Sequence, residues 1–143
     1  MKDFRDLKVW QCSHQLTLAV YRYTRDFPKD ETYGIVSQLR RCSASVAANI
    51  AEGCGRSGNP EFGRFLTIAM GSASELEYFL LLARDLEYLS PQKHVQIAQE
   101  VVSMRRMLNR LLSKVQAERE SIYQGRGHST DAASPRTCAF AKC

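Results

Sequence analysis

The chain has 143 residues, 44% of them hydrophobic, and a formal net charge of +5. That is the length of one domain with enough apolar content for a core that needs no disulfide or metal. No run approaches the roughly 18 apolar positions of a membrane span, and the charged start "MKDFRDLKVW" lacks a signal-peptide apolar stretch, so a cytoplasmic protein is expected. Cys12, Cys42, Cys54, Cys138 and Cys143 form no CxxC pair, and His14, His94 and His128 sit in separate segments without ligand partners at matching spacing. Neither a disulfide framework, a metal site nor a cofactor is expected.

Breakers at Pro28, Gly34, Gly53–Pro60 and Pro91 divide the chain into four segments with helical apolar spacing. The first helix is expected over about 6–26, capped by Asp6, with Leu7, Trp10, Leu16, Val20 and Tyr21 on its apolar side. The second is expected over about 33–52, where Ile35, Leu39, Cys42, Val46, Ile50 and Gly53 form one stripe. The third opens at Asn59 as N-cap with Pro60 at the first helical position and Glu61 in the first turn. Its stripe, from Phe62 and Phe65 through Ala69, Ser72 and Leu76 to Leu86, runs for about 30 residues, close to 45 Å. Ser90 and Pro91 repeat the cap-and-proline device before Ile97, Val101, Met104, Leu108, Leu111 and Val115.

Alternating threes and fours mean a period near 3.5, the spacing of helices packed at shallow angles. The expected fold is therefore all-α, an antiparallel up-and-down four-helix bundle over residues 1–122. Beyond Tyr123 the composition turns to Gly, Ser, Thr and Pro, and 123–143 is expected to be a disordered tail. With Arg126, Arg136 and Lys142 against Asp131, that tail carries +2 of the net charge and leaves +3 for the bundle.

The stretch "RRCSASVAANIAEGCGRSG", Arg40 to Gly58, raises the question of an anion loop. Phosphate-cradling loops follow a strand and open a helix. Here a helix precedes the glycines and no G-K-[ST] follows. The glycines read as a helix exit, with Gly53 or Gly55 in the left-handed conformation. Upstream, Arg41, Ser45, Asn49, Glu52 and Arg56 make a polar stripe. Two readings stay open: Asn49 hydrogen-bonds a neighbouring helix or loop and Glu52 pairs with Arg56 or Arg41, or the stripe faces a subunit or an anion. A lone glutamate without a His, Cys or second carboxylate makes no hydrolytic site, and no nucleophile–base pair exists elsewhere. No catalytic residue is expected.

Arg106, Arg110 and Lys114 lie four apart on the fourth helix, beside Arg105. Like charges at that spacing repel by a few tenths of a kcal/mol each, so the ladder suits a phosphate backbone or, alternatively, a solvated face partly offset by Glu118. The aromatics Trp10, Phe62, Phe65 and Phe79 fall on core stripes and read as packing. Gly71 to Ser74 form a small-residue belt that would allow a close helix or subunit approach.

"DLKVW" at Asp6–Trp10, "QLRR" at Gln38–Arg41, "ANIAEG" at Ala48–Gly53, "GR" at Gly55–Arg56 and "EFxRFL" at Glu61–Leu66 resemble the four helix bundle protein family, also called the 23S rRNA intervening-sequence protein family. The likeness covers about 4–115. It implies an up-and-down protomer that assembles as a homopentamer. A similar protein, the accessory variability determinant of diversity-generating retroelements, is a basic pentameric bundle that binds nucleic acid and a reverse transcriptase. Family membership alone does not transfer an activity. Two expectations follow. The first is a non-enzymatic binder of RNA or DNA through Arg40, Arg41, Arg56, Arg64, Arg105, Arg106, Arg110 and Lys114. The second is an adaptor docking a protein such as a reverse transcriptase. Trp10, Asn49, Glu52 and Glu61 are expected to hold the bundle or its ring together.

Overall fold

In a computed structural model the described residues are 3–126, and the expected tail from 127 onward lies outside them. Among the described residues there are four α-helices and no strand: α1 (Lys8–Thr24), α2 (Ile35–Gly55), α3 (Asn59–Asp85) and α4 (Pro91–Arg126). Each helix packs on its neighbours in sequence, and α1 closes the ring on α4, with α2–α3 the most extensive pairing and no diagonal pairing. This is the expected bundle. Its centre is filled by Leu16, Leu39, Ile50, Leu66, Leu76 and Leu108, all of them fully buried. Burying each stabilises the fold by roughly 1.5–3 kcal/mol relative to exposure.

The helix ends depart from expectation in instructive ways. Asp6 does not cap α1: it ends a short 3-10 turn, Phe4–Asp6, whose own cap is Asp3, and Leu7 stands at the start of α1 without a side-chain cap. The segment before α2 holds a second 3-10 turn, Lys29–Glu31. Glu31 Oε2 accepts from the Ile35 backbone N–H (3.2 Å), placing a carboxylate at the start of α2 where the helix dipole favours it. Its other oxygen accepts from the Tyr88 hydroxyl (3.2 Å), tying that corner to the α3–α4 connection. Burial, with the Glu31 carboxylate, pushes the Tyr88 hydroxyl's pKa up.

Gly53 and Gly55 stay helical, and the left-handed residue is Gly58 (φ 83°). Gly58 rather than Asn59 therefore precedes α3, and the Asn59 side chain donates instead to Glu118 of α4 (2.9 Å). Gly53 has a different job: a Cβ there would lie 2.9 Å from Phe62 Cδ2 and 3.0 Å from Phe65 Cβ, so its bareness sets how closely α2 meets α3. After α3, Glu87 holds a left-handed φ of 62° at a position where glycine is usual. Ser90 Oγ accepts from the Lys93 N–H (3.3 Å), as the cap-and-proline pattern requires.

α4 is 36 residues long, about 54 Å, and continues past the expected limit of 122. Nothing after Val115 on it is buried, so its last three turns stand clear of the core. α3 passes the length and composition test for a membrane span, at mean hydropathy 1.3, which corrects the expectation that no stretch comes near one. Its apolar side packs into the bundle through Phe62, Leu66, Leu76 and Leu80.

Candidate nucleic-acid interface

The eight basic candidates separate by what they touch. Arg40 is half-buried: its Nε donates to Thr24 Oγ1 (3.0 Å) and its guanidinium lies 4.6 Å from the Tyr21 ring centre. It ties α2 to α1. Arg41 reaches across to α3 and pairs with Glu75 (2.6 Å), which raises its already high pKa. Arg56 pairs with Glu52 one turn earlier (2.7 Å), again raising its pKa, and lies over the Phe65 ring at 5.5 Å. Arg64 pairs with Glu61 (3.3 Å) and also lies over the Phe65 ring, at 4.4 Å. Arg105 pairs with Glu77 of α3. These four pairs are mutually neutral on the outside of the bundle.

The ladder is different. Arg106, Arg110 and Lys114 are exposed and pair with no carboxylate among the described residues. Glu118, one turn beyond Lys114, is turned toward Asn59 and does not offset it. Their spacing puts them on the side of α4 away from Ile97, Val101, Met104 and Leu108. At the head of the ladder lies a depression of about 380 Å³, lined by Met70, Val102, Arg105, Arg106 and Asn109.

Of the residues expected to hold the bundle or its ring together, Glu52 and Glu61 make local pairs one turn away, with Arg56 and Arg64. Asn49 Nδ2 donates to Ser45 O (2.8 Å) and Ser45 Oγ (3.0 Å), so it binds its own helix and not a neighbour. The link to α3 is made by Ser45, whose hydroxyl meets Ser72 Oγ at 2.9 Å. Trp10 is only half-buried, at the edge of the core, with Phe4 against it edge-on (4.8 Å, 61°) and His14 stacked on it (5.1 Å, 8°). The expected core role of Trp10 is therefore partial. Among the described residues no cluster of His, Cys, Asp and Glu has metal-holding geometry. Sequence reasoning did not find Glu75 and Glu77, which neutralise two of the arginines, nor the Trp10–His14 stack.

The cyclic order of helices and the buried stripes define an up-and-down four-helix bundle. The family model for the 23S rRNA-intervening sequence protein matches residues 5–110, and the chain belongs to that family. A crystal structure of a protein of unknown function from the S23 ribosomal protein family of Bacteroides thetaiotaomicron is similar, at TM-score 0.66 and 22% identity. That match covers 73% of this chain and 97% of the other, and at this identity it speaks for the fold alone. No curated protein matches the chain.

Proposed function

We propose that this protein is a non-enzymatic, cytoplasmic nucleic-acid-binding bundle that works as a homo-oligomer, with the α4 ladder as its phosphate contact. The observation that carries the reading is the contrast between Arg106, Arg110 and Lys114, which lack acid partners, and Arg41, Arg56, Arg64 and Arg105, which have them. A row of unpaired cations one turn apart repels itself and gains on meeting an anionic polymer. The net charge of +5 per chain is modest, and repetition around a ring, as the family resemblance implies for a pentamer, would multiply the field.

The test is fluorescence anisotropy with labelled RNA and duplex DNA across a salt series, on the wild type and on Arg106→Ala/Arg110→Ala/Lys114→Ala. The wild type is expected to bind at low salt, and the triple variant to flatten the log K against log salt slope by roughly two to three units for each protomer engaged. An unchanged slope in the triple variant, or no wild-type binding at low salt, overturns the assignment. Native mass spectrometry checks the assembly against five times the 16.2 kDa protomer.

A second reading, a protein adaptor, rests on the outer side of α3, where Ile68, Tyr78 and Leu81 are 41%, 57% and 39% exposed. A partner such as a reverse transcriptase retained from nuclease-treated lysate by the wild type, and lost with Tyr78→Ser/Leu81→Ser, supports it. Loss of every partner on nuclease treatment removes it.

A further inference from the structure

The ladder accounts for phosphate contact but leaves a second surface unused. On α1, Trp10, His14 and Tyr21 fall on one side of the helix, at intervals of four and seven residues. The His14 imidazole is exposed and lies parallel to the Trp10 indole, 5.1 Å away and 8° from coplanar. Tyr21 is 42% exposed, with the Arg40 guanidinium 4.6 Å from its ring centre. The two stations, His14 and Tyr21, are about 10 Å apart along the helix axis.

Within α1 itself the charge has one sign, and the nearby carboxylates, Asp6, Asp26 and Glu100, lie outside the helix. The 17 residues of α1 include Lys8 and Arg22 and no carboxylate, and Arg25 follows directly. Asp3 is spent on Arg5. Flat exposed rings set in a basic, acid-free helix suit a ligand that is both planar and anionic. A duplex hides its base faces, whereas a single strand offers them. Base–aromatic stacking contributes about 1–3 kcal/mol per base and tolerates any sequence, since every base has a π-face.

We infer that the α1 edge carrying Trp10, His14 and Tyr21 is a stacking platform for the bases of single-stranded nucleic acid. This deepens the nucleic-acid reading above and rests on it for the polymer class, but it uses a different face from the ladder.

Trp10 is the only tryptophan in the chain, so its emission reports this platform alone. The full chain is titrated at low salt with labelled 12-nucleotide oligo(dT) or oligo(U), with a 12-base-pair duplex, and with poly-glutamate. Trp10 emission and label anisotropy are followed together. The expected result is saturable Trp10 quenching by the single strands at the concentrations where anisotropy rises, and little quenching by the duplex or the polyacid. His14→Ala and Tyr21→Ala, both at exposed positions, are expected to weaken single-strand binding by about 5- to 150-fold each and to leave duplex binding unchanged. Anisotropy that rises without any change in Trp10 emission overturns the platform and leaves the ladder standing. Equal quenching by poly-glutamate also overturns it, because charge alone would then suffice. Quenching that persists while the ladder triple variant keeps its full salt slope removes the ladder and supports the platform.

Discussion

Substituting Gly53 and Gly71 by alanine makes the same chemical change on two helices and should give opposite signs. Gly71 is exposed in the middle of α3, and nothing lies within 4 Å of a Cβ built there. Gly71→Ala therefore gains helix propensity without a clash, about 0.5–1 kcal/mol. Gly53 is buried, and its new Cβ would sit 2.9 Å from Phe62 Cδ2 and 3.0 Å from Phe65 Cβ, inside ordinary contact distance on both. Neither neighbour yields easily. The Phe62 ring is only 5% exposed, and the Phe65 Cβ is fixed to the α3 backbone. Overpacking of this kind costs about 1–3 kcal/mol, which outweighs a propensity gain already reduced near the end of α2. Thermal and urea unfolding followed by circular dichroism reads both. At about 3–6 °C per kcal/mol for a domain of this size, Gly71→Ala should raise Tm by a few degrees and Gly53→Ala should lower it by several. A double variant with Phe62→Leu should recover part of the Gly53→Ala loss, with a coupling near 1 kcal/mol. If Gly53→Ala matches or exceeds wild-type stability, the close α2–α3 approach is not what this glycine serves.

Further outcomes follow from individual positions. Glu87→Gly should stabilise the fold by about 1 kcal/mol in urea unfolding, because it relieves a left-handed backbone that an L side chain disfavours. Burial, and after it the Glu75 carboxylate, pushes the Cys42 thiol from 9.0 up to about 11. The unfolded chain then ionises first, so this thiol should make stability fall as pH rises from about 9 to 11, by about 2–3 kcal/mol, and Cys42→Ala should remove that contribution while leaving the one from Tyr88, whose raised pKa has the same sign. At pH 8, peptide mapping after brief alkylation should find half-exposed Cys12 modified and Cys42 untouched. Glu75→Gln breaks a pair whose side chains are 53% and 47% exposed, so its cost should be below about 1 kcal/mol and shrink further in 0.5 M salt; a salt-independent loss above that would show the pair to be structurally committed.

The bundle was legible because its signals are local. Threes and fours along α3 and α4, and Ser90–Pro91 before α4, need only neighbours in sequence to be read. The ends of α1 and α3 were misread for the same reason: Asp6 and Asn59 have capping chemistry, but Asp3 and Gly58 hold the geometry, and Asn59 is drawn away by Glu118, 59 residues on. The basic candidates were all visible, but their sorting was not. Glu75 and Glu77 lie 34 and 28 residues from the arginines they meet, and no periodicity announces such a pairing. The Trp10–His14 stack could have been anticipated, since residues four apart share a helix face.

The placement of the unpaired cations on α4 has a physical reason. α2 and α3 make the most extensive pairing in the bundle, and their outer arginines are matched by carboxylates close at hand. Only five of the 36 residues of α4 are buried, and with the partly buried Met107, Leu111 and Leu112 they supply its hold on the core through one apolar stripe. A like-charge ladder costs a few tenths of a kcal/mol per step. On α4 that cost falls on a face remote from the stripe, where Ile97, Val101, Met104 and Leu108 already anchor the helix. Placed on α2, the same ladder would compete with the Arg41–Glu75 and Arg56–Glu52 pairs and with the close contact at Gly53. Unpaired charge is thus tolerated where the fold depends on it least, which is also where an anionic polymer can reach it without disturbing a helix interface.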